Sequence, residues 1–194
     1  SKLGYTGWFT LFTVTYPIMY SLLLGLSAGI FEEGGRFIGA RLFLKNELSW
    51  ENGVVFGLGH GGAEALLLVG LNYLVQIINA ILGKSKGAIS GVPPYMFLVG
   101  GLERVLAVIA HTGMTMLVFY SLKYKKPVYL LWAVLFHTLI DSPLMIFKQV
   151  GFDLSVWGME GFVAIFAVLA AIIIVKFKRV LNMDKISADQ EDLK

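Results

Sequence analysis

Three stretches of this sequence place ionisable side chains four residues apart inside apolar runs: FEEGGR at 31–36, GLGHGGAE at 57–64 and HTLID at 137–141. Residues four apart share a helix face. Glu32 with Arg36, His60 with Glu64, and His137 with Asp141 are therefore each expected to present a polar pair to one side. These residue types suit hydrolysis: a carboxylate takes a proton from water, and imidazoles hold a divalent cation or polarise a carbonyl. Glu32 and Glu33 are adjacent and point about 100° apart on a helix, so they cannot do the same job. One could activate a water while the other is held by Arg36, which keeps the pair from sharing a proton. His111 is the third histidine of the chain. Three histidines and a water suit a catalytic zinc site with an open position, so His60, His111 and His137, with Glu64, form the candidate metal set. There is no HExxH, so zinc would have to be assembled from separate helices. Without a metal, Glu32 would act as the base and the histidines as hydrogen-bond donors. Both routes stay open, and no cofactor besides zinc is called for.

The elements that must position these groups are membrane helices. The chain of 194 residues is 57% hydrophobic and only 15% charged, with a mean hydropathy of +0.74. A soluble domain carries about 25% charged residues. A span needs roughly 20 apolar residues, and five candidates appear: 8–31 with a helix continuing toward 44, then 54–82, 96–121, 128–147 and 157–177. The expected fold is all-α, a polytopic membrane helix bundle of about five transmembrane helices around a central intramembrane polar site. Residues 1–178 form the transmembrane domain, and 179–194 form a polar cytoplasmic tail. The sequence opens on Ser1 rather than Met, so an N-terminal portion is expected upstream, and no cleavable signal peptide is read at its start. The absence of cysteine excludes disulfides and thiolate chemistry.

Ten ionisable groups stand out within the first four apolar helices: Glu32, Glu33, Arg36, His60, Glu64, Glu103, Arg104, His111, His137 and Asp141. Each costs at least ~2.5–3.5 kcal/mol at the bilayer centre, so they must pair or face a wet cavity. At about 1.5 Å per residue, Glu32, His60, His111 and His137 share a layer on the order of 9–18 Å below one membrane face. Gly53, Gly57 and Gly61 form a stripe beside His60, as do Gly25 with Gly29 and Gly35 with Gly39. Small residues at this spacing let membrane helices approach closely. The loops at 41–52 and 122–127 and residues 176–179 carry eight Lys and Arg, against four on the other side. That asymmetry makes the first side cytoplasmic, so the protein is expected as a multi-pass cell-membrane protein with a cytoplasmic C-terminus. The bases lie between apolar runs, which argues against a nucleic-acid partner.

Each polar pair also has a reading from packing alone: a salt-bridged helix exit for FEEGGR, an interhelical hydrogen bond for His60 and Glu64, and a self-neutralising pair for His137 and Asp141. Glu103 and Arg104 lie about 12 Å further toward the outside than His111 and are read as structural. GLGHGG is no phosphate loop, since it lacks the following Lys and the strand before it. Beside hydrolysis, two other functions fit: a non-catalytic membrane scaffold or immunity-type protein, whose polar network would be closed and dry, and a proton or ion carrier, which needs polar residues continuing to both faces.

Glu32-Glu33 with Arg36, Phe56-xxx-His60 and His137-xxx-Asp141 resemble, in order, the three motifs of the CAAX-protease and bacteriocin-processing superfamily of intramembrane proteases. The EEGGR form and the GHGGxE run look most like its YhfC branch, generally labelled intramembrane metalloproteases. PrsW proteases and the anterior-pharynx-defective subunit of gamma-secretase are more distant members. The resemblance spans roughly residues 16–147. It implies that Glu32 activates water, that His60 is its partner at the water or carbonyl, and that His137 and Asp141 stabilise the oxyanion. Glu64 and His111 go beyond the prenyl-protease pattern and make the site more metal-like. The implied activity is hydrolysis of a peptide bond in a membrane-associated peptide or protein, at a site open to the cytoplasm. The implied partners are membrane lipid and that substrate, with a homo-oligomer also admitted.

Overall fold

The proline at position 17 decides how the chain enters the fold. In the computed structural model, which describes residues 7–83, 91–149, 151–152 and 154–182, α1 (Gly7–Thr15) and α2 (Pro17–Phe43) meet at a bend of 103°. Proline suits the first position of a helix, where its missing N–H is not needed. It also pushes the residue before it out of the α region, and Tyr16 takes φ −126° and ψ 58°. The first apolar run is therefore not the straight span over 8–31 that its hydropathy suggests. α2 does carry on through EEGGR, as expected. The expected tail from 183 onward, Lys2, and the loop bases Lys84 and Lys86 lie outside the described residues.

Four stretches are long and apolar enough to cross a membrane: Trp50–Ile81, Pro94–Lys123, Val128–Phe147 and Val156–Leu181. The bent pair makes a fifth if it counts as one span. The described residues contain no strand, so the expectation of an all-α membrane fold with about five spans holds. Large apolar side chains stand exposed along these helices, Leu22, Leu66, Leu98, Ile165 and Val175 among them. Lipid is the solvent that such surfaces require, because helices satisfy their own backbone within hydrocarbon.

The second span is interrupted. α3 (Trp50–Glu64) starts at Ser49, whose hydroxyl accepts from the Asn52 N–H at 3.2 Å, as a capping serine does. α3 gives way to a π-helical segment at Ala65–Gly70, and α4 (Leu71–Ile81) follows. α5 (Pro94–Lys123), α6 (Val128–Gln149) and α7 (Val156–Leu181) complete the chain. α7 thus runs three residues past position 178.

The chain divides into two units. One holds the residues up to 48 together with 117–161, and the other holds 49–116 together with 162 onward. In the first, α2 packs along α6. A β-carbon on Gly29 would lie 2.8 Å from the Val134 carbonyl oxygen, and one on Gly25 would collide with the Ser142 hydroxyl. The Gly25/Gly29 stripe is thus what lets the two backbones touch. The other expected stripe differs: a β-carbon on Gly35 would meet nothing within 4 Å.

In the second unit α3 packs on the middle of α5. A β-carbon on Gly57 would lie 2.6 Å from Thr112 Cα, and one on Gly61 would lie 3.1 Å from His111 Cβ. The start of α3 is pinned to α7: the Trp50 indole N–H donates to the Ile174 carbonyl at 2.7 Å, and Lys178 Nζ lies 4.8 Å from its ring centroid. Because the obstacle at Gly57 is backbone, Gly57→Ala is expected to cost about 1–3 kcal/mol, read as a lower melting temperature in detergent. Gly59→Ala is the control. Its methyl would meet nothing within 4 Å, so it should be neutral or slightly stabilising.

Candidate active site and metal centre

In the first unit, the α2–α6 contact brings Glu33, Arg36 and His137 together. All three are buried, and Glu33 is fully so. Glu33 Oε2 pairs with the Arg36 guanidinium, and its Oε1 lies 3.0 Å from His137 Nδ1. A carboxylate paired with a guanidinium only accepts, so Nδ1–H of His137 donates to it. That bond fixes both the tautomer and the ring orientation. The opposite nitrogen, Nε2, then lies 3.4 Å from Asp141 Oδ2 and 3.8 Å from Glu32 Oε2. Glu32 keeps a third of its side chain exposed, as does Asp141.

The two adjacent glutamates therefore differ in kind. Both oxygens of Glu33 are engaged in a closed interior, whereas Glu32 is partly open and within reach of an imidazole nitrogen. Helical spacing of four suggested Glu32 as the partner of Arg36. The ion pair is with Glu33 at spacing three, because α6 presents His137 to the same side of α2 and draws Glu33 inward.

In the second unit, His60 and Glu64 on α3 meet His111 on α5. Each offers one ligand atom, and these atoms all lie within 4.8 Å of one another. His111 Nε2 is 2.6 Å from Glu64 Oε2, and the two imidazole centroids are 5.4 Å apart. Gly61 helps seat His111 against α3, since a β-carbon there would lie 3.1 Å from both His111 Cβ and Val108 Cα, tighter than most such contacts. The π-helical segment begins at the residue after Glu64, and such segments occur frequently at functional sites. Arg104, two turns before His111 on α5, pairs with Glu103 and sends its other terminal nitrogen to 4.0 Å from Glu64 Oε1.

Residues 8–164 match the family model described as "YhfC intramembrane metalloprotease". This chain belongs to the YhfC intramembrane metalloprotease family. It is also 34% identical over 186 residues to the "Uncharacterized membrane protein YhfC" of Bacillus subtilis (strain 168), covering 86% of this chain and 72% of that protein. No solved structure matches it.

The YhfC description implies a metal, and the donor set of the second unit suits one. Two histidines and a glutamate are a known ligand set for catalytic zinc, with the fourth position left for water. Two ligands of one zinc, each at about 2.0–2.1 Å in a tetrahedron, lie roughly 3.3 Å apart. His111 Nε2 and Glu64 Oε2 are 2.6 Å apart and no two of the three ligand atoms are more than 4.8 Å apart, so the set is compact enough to converge on one ion. Of the four candidate ligands read from the sequence, the structure gathers His60, Glu64 and His111 within one unit. His137 has its Nδ1 committed to Glu33.

Some of this YhfC-family chain's polar groups escaped the sequence reading. Arg104, structural on the sequence reading, also reaches toward Glu64, a contact signalled by its place two turns before His111 on the same helix. Glu160 is nine-tenths buried near the start of α7. As the one carboxylate in an otherwise apolar stretch from 156 to 175, it was visible in the sequence.

Proposed function

We propose that this chain is a metal-dependent intramembrane endopeptidase that cuts peptide bonds of membrane-embedded substrates, with Glu32 as the group that takes the proton from water. The observation that carries this reading is the division of labour between the adjacent glutamates. Glu33 is closed and doubly engaged, so it orients. Glu32 is a third exposed, and its buried Oε2 lies 3.8 Å from His137 Nε2, so it can take a proton from a water and pass it toward that nitrogen.

In this reading Glu33 holds His137 through Nδ1, and Arg36 pairs with Glu33 from the other side. His137 Nε2, steadied by Asp141, receives the proton that Glu32 collects and delivers it to the leaving amine. When protonated, it also donates a hydrogen bond to the oxyanion. His60, Glu64 and His111 would hold the cation, and Arg104 would offset the charge of Glu64. A divalent cation bound there would polarise the scissile carbonyl and lower the pKa of a bound water. The Lys and Arg asymmetry of the loops supports access from the cytoplasmic side of the cell membrane, with the C-terminus on that side. The order of the three motifs supports membership of the wider CAAX-protease and bacteriocin-processing superfamily.

Metal content tests the reading. Protein purified in detergent without chelator is expected to carry about one zinc per chain, as is Glu32→Gln, whereas His111→Ala and His60→Ala lose most of it. A wild-type protein without metal, or a His111→Ala protein with a full complement, would contradict it.

A further inference from the structure

A second polar feature, unused by the hydrolytic reading, lies where α2 and α5 end in the first unit. A cavity of about 450 Å³ opens there, within the size range of small-molecule sites. Arg41, Lys45 and Lys125 line it, and none of its lining residues is acidic. Phe37, Leu48 and Leu130 supply apolar wall. Three cations facing one cavity without a carboxylate call for an anion.

Two further observations point to a ligand. Ser121 lines the cavity and is only 3% exposed, and its hydroxyl has no hydrogen-bond partner among the described residues. A buried hydroxyl left in that state is costly unless something else takes its hydrogen bond. Lys125 holds a positive φ of 54°. It occupies the left-handed position just past the end of α5, where the Lys126 N–H closes onto the Ser121 carbonyl at 3.0 Å. Glycine is the ordinary residue at that position. A lysine held there against its backbone preference puts a cation on the cavity wall.

We propose that this cavity is a phosphate site for the head group of an anionic phospholipid. The cations sit at helix ends, where head groups lie, and basic pockets between membrane helices bind such lipids. Leu42 and Phe43, beside Arg41 on α2, are 69% and 81% exposed. They offer acyl chains a surface that a free phosphate would not use. Ser121 donates to a phosphate oxygen, and Arg41, Lys45 and Lys125 neutralise its charge.

The test measures thermal unfolding of the full chain in detergent, titrated separately with palmitoyl-oleoyl phosphatidylglycerol, the matching phosphatidylcholine, and inorganic phosphate. Phosphatidylglycerol is expected to raise the melting temperature in a saturable way, while the other two leave it nearly unchanged. Lys45→Gln combined with Lys125→Gly leaves Arg41, Lys123 and Lys126 to hold membrane orientation. It is expected to weaken apparent phosphatidylglycerol affinity by roughly tenfold or more. Lys125→Gly alone should raise the melting temperature without lipid, because glycine suits that φ, while still shrinking the lipid-induced shift. A purely structural Lys125 would not give that split. The proposal is overturned if both phospholipids stabilise equally or if the double variant keeps the wild-type shift. Inorganic phosphate matching phosphatidylglycerol would equally overturn the lipid as the occupant.

Discussion

Replacing Glu33 by Gln is expected to cost about 3–5 kcal/mol of folding stability, the usual penalty for breaking a buried ion pair from one side. The glutamine keeps the volume and can still accept from His137 Nδ1, so packing is not the cause. What is lost is the negative charge beside a guanidinium that is 1% exposed. Removing both charges, as in Glu33→Gln with Arg36→Met, is expected to recover part of the loss, because no uncompensated charge then remains at that pair. Unfolding of the three proteins in mixed detergent micelles measures this. Equal stability of the single variant and wild type would show that Glu33 is not the structural member of the pair.

Glu32→Gln should behave in the opposite way. The side chain is a third exposed, with Oε2 3.8 Å from His137 Nε2, and the fold and the metal content are expected to stay close to wild type. Hydrolysis should fall by about 10²–10⁴-fold, the range that one general base contributes. The readout is the initial rate on a quenched fluorescent transmembrane peptide in proteoliposomes, compared at equal amounts of folded protein. A variant that loses stability and rate together would merge the roles of the two glutamates.

How far the sequence reveals this arrangement depends on which physical force sets each feature. The polar helices stand out because lipid makes every ionisable group expensive, so His60, His111 and His137 stand out in apolar runs without any structural knowledge. The glycines at 25, 29, 57 and 61 are legible for the same reason: helix contact in a membrane depends on small residues, and the spacing of four is local. Gly35 shows the limit of that rule, since the same spacing faces open space when no partner helix lies on that side. Choosing between Glu32 and Glu33 as the partner of Arg36 was beyond spacing alone. Positions three and four residues away are almost equally close on a helix, and the decision comes from His137, 104 residues further on. The bend at Tyr16 could have been read from Pro17, but the apolar run on both sides of it hides the break. The π-helical segment after Glu64 leaves no mark in ALLLVG, because a wider helical turn is a tertiary compromise rather than a residue preference.

The most direct test of the account is the set of new peptide N-termini in the membrane fraction of cells expressing this chain, compared with cells expressing equal amounts of Glu32→Gln. The account predicts N-termini within or beside apolar segments of membrane proteins that appear with the wild type and are absent with the variant. Identical termini in both samples, or none produced by a folded, metal-loaded wild-type protein, would contradict it.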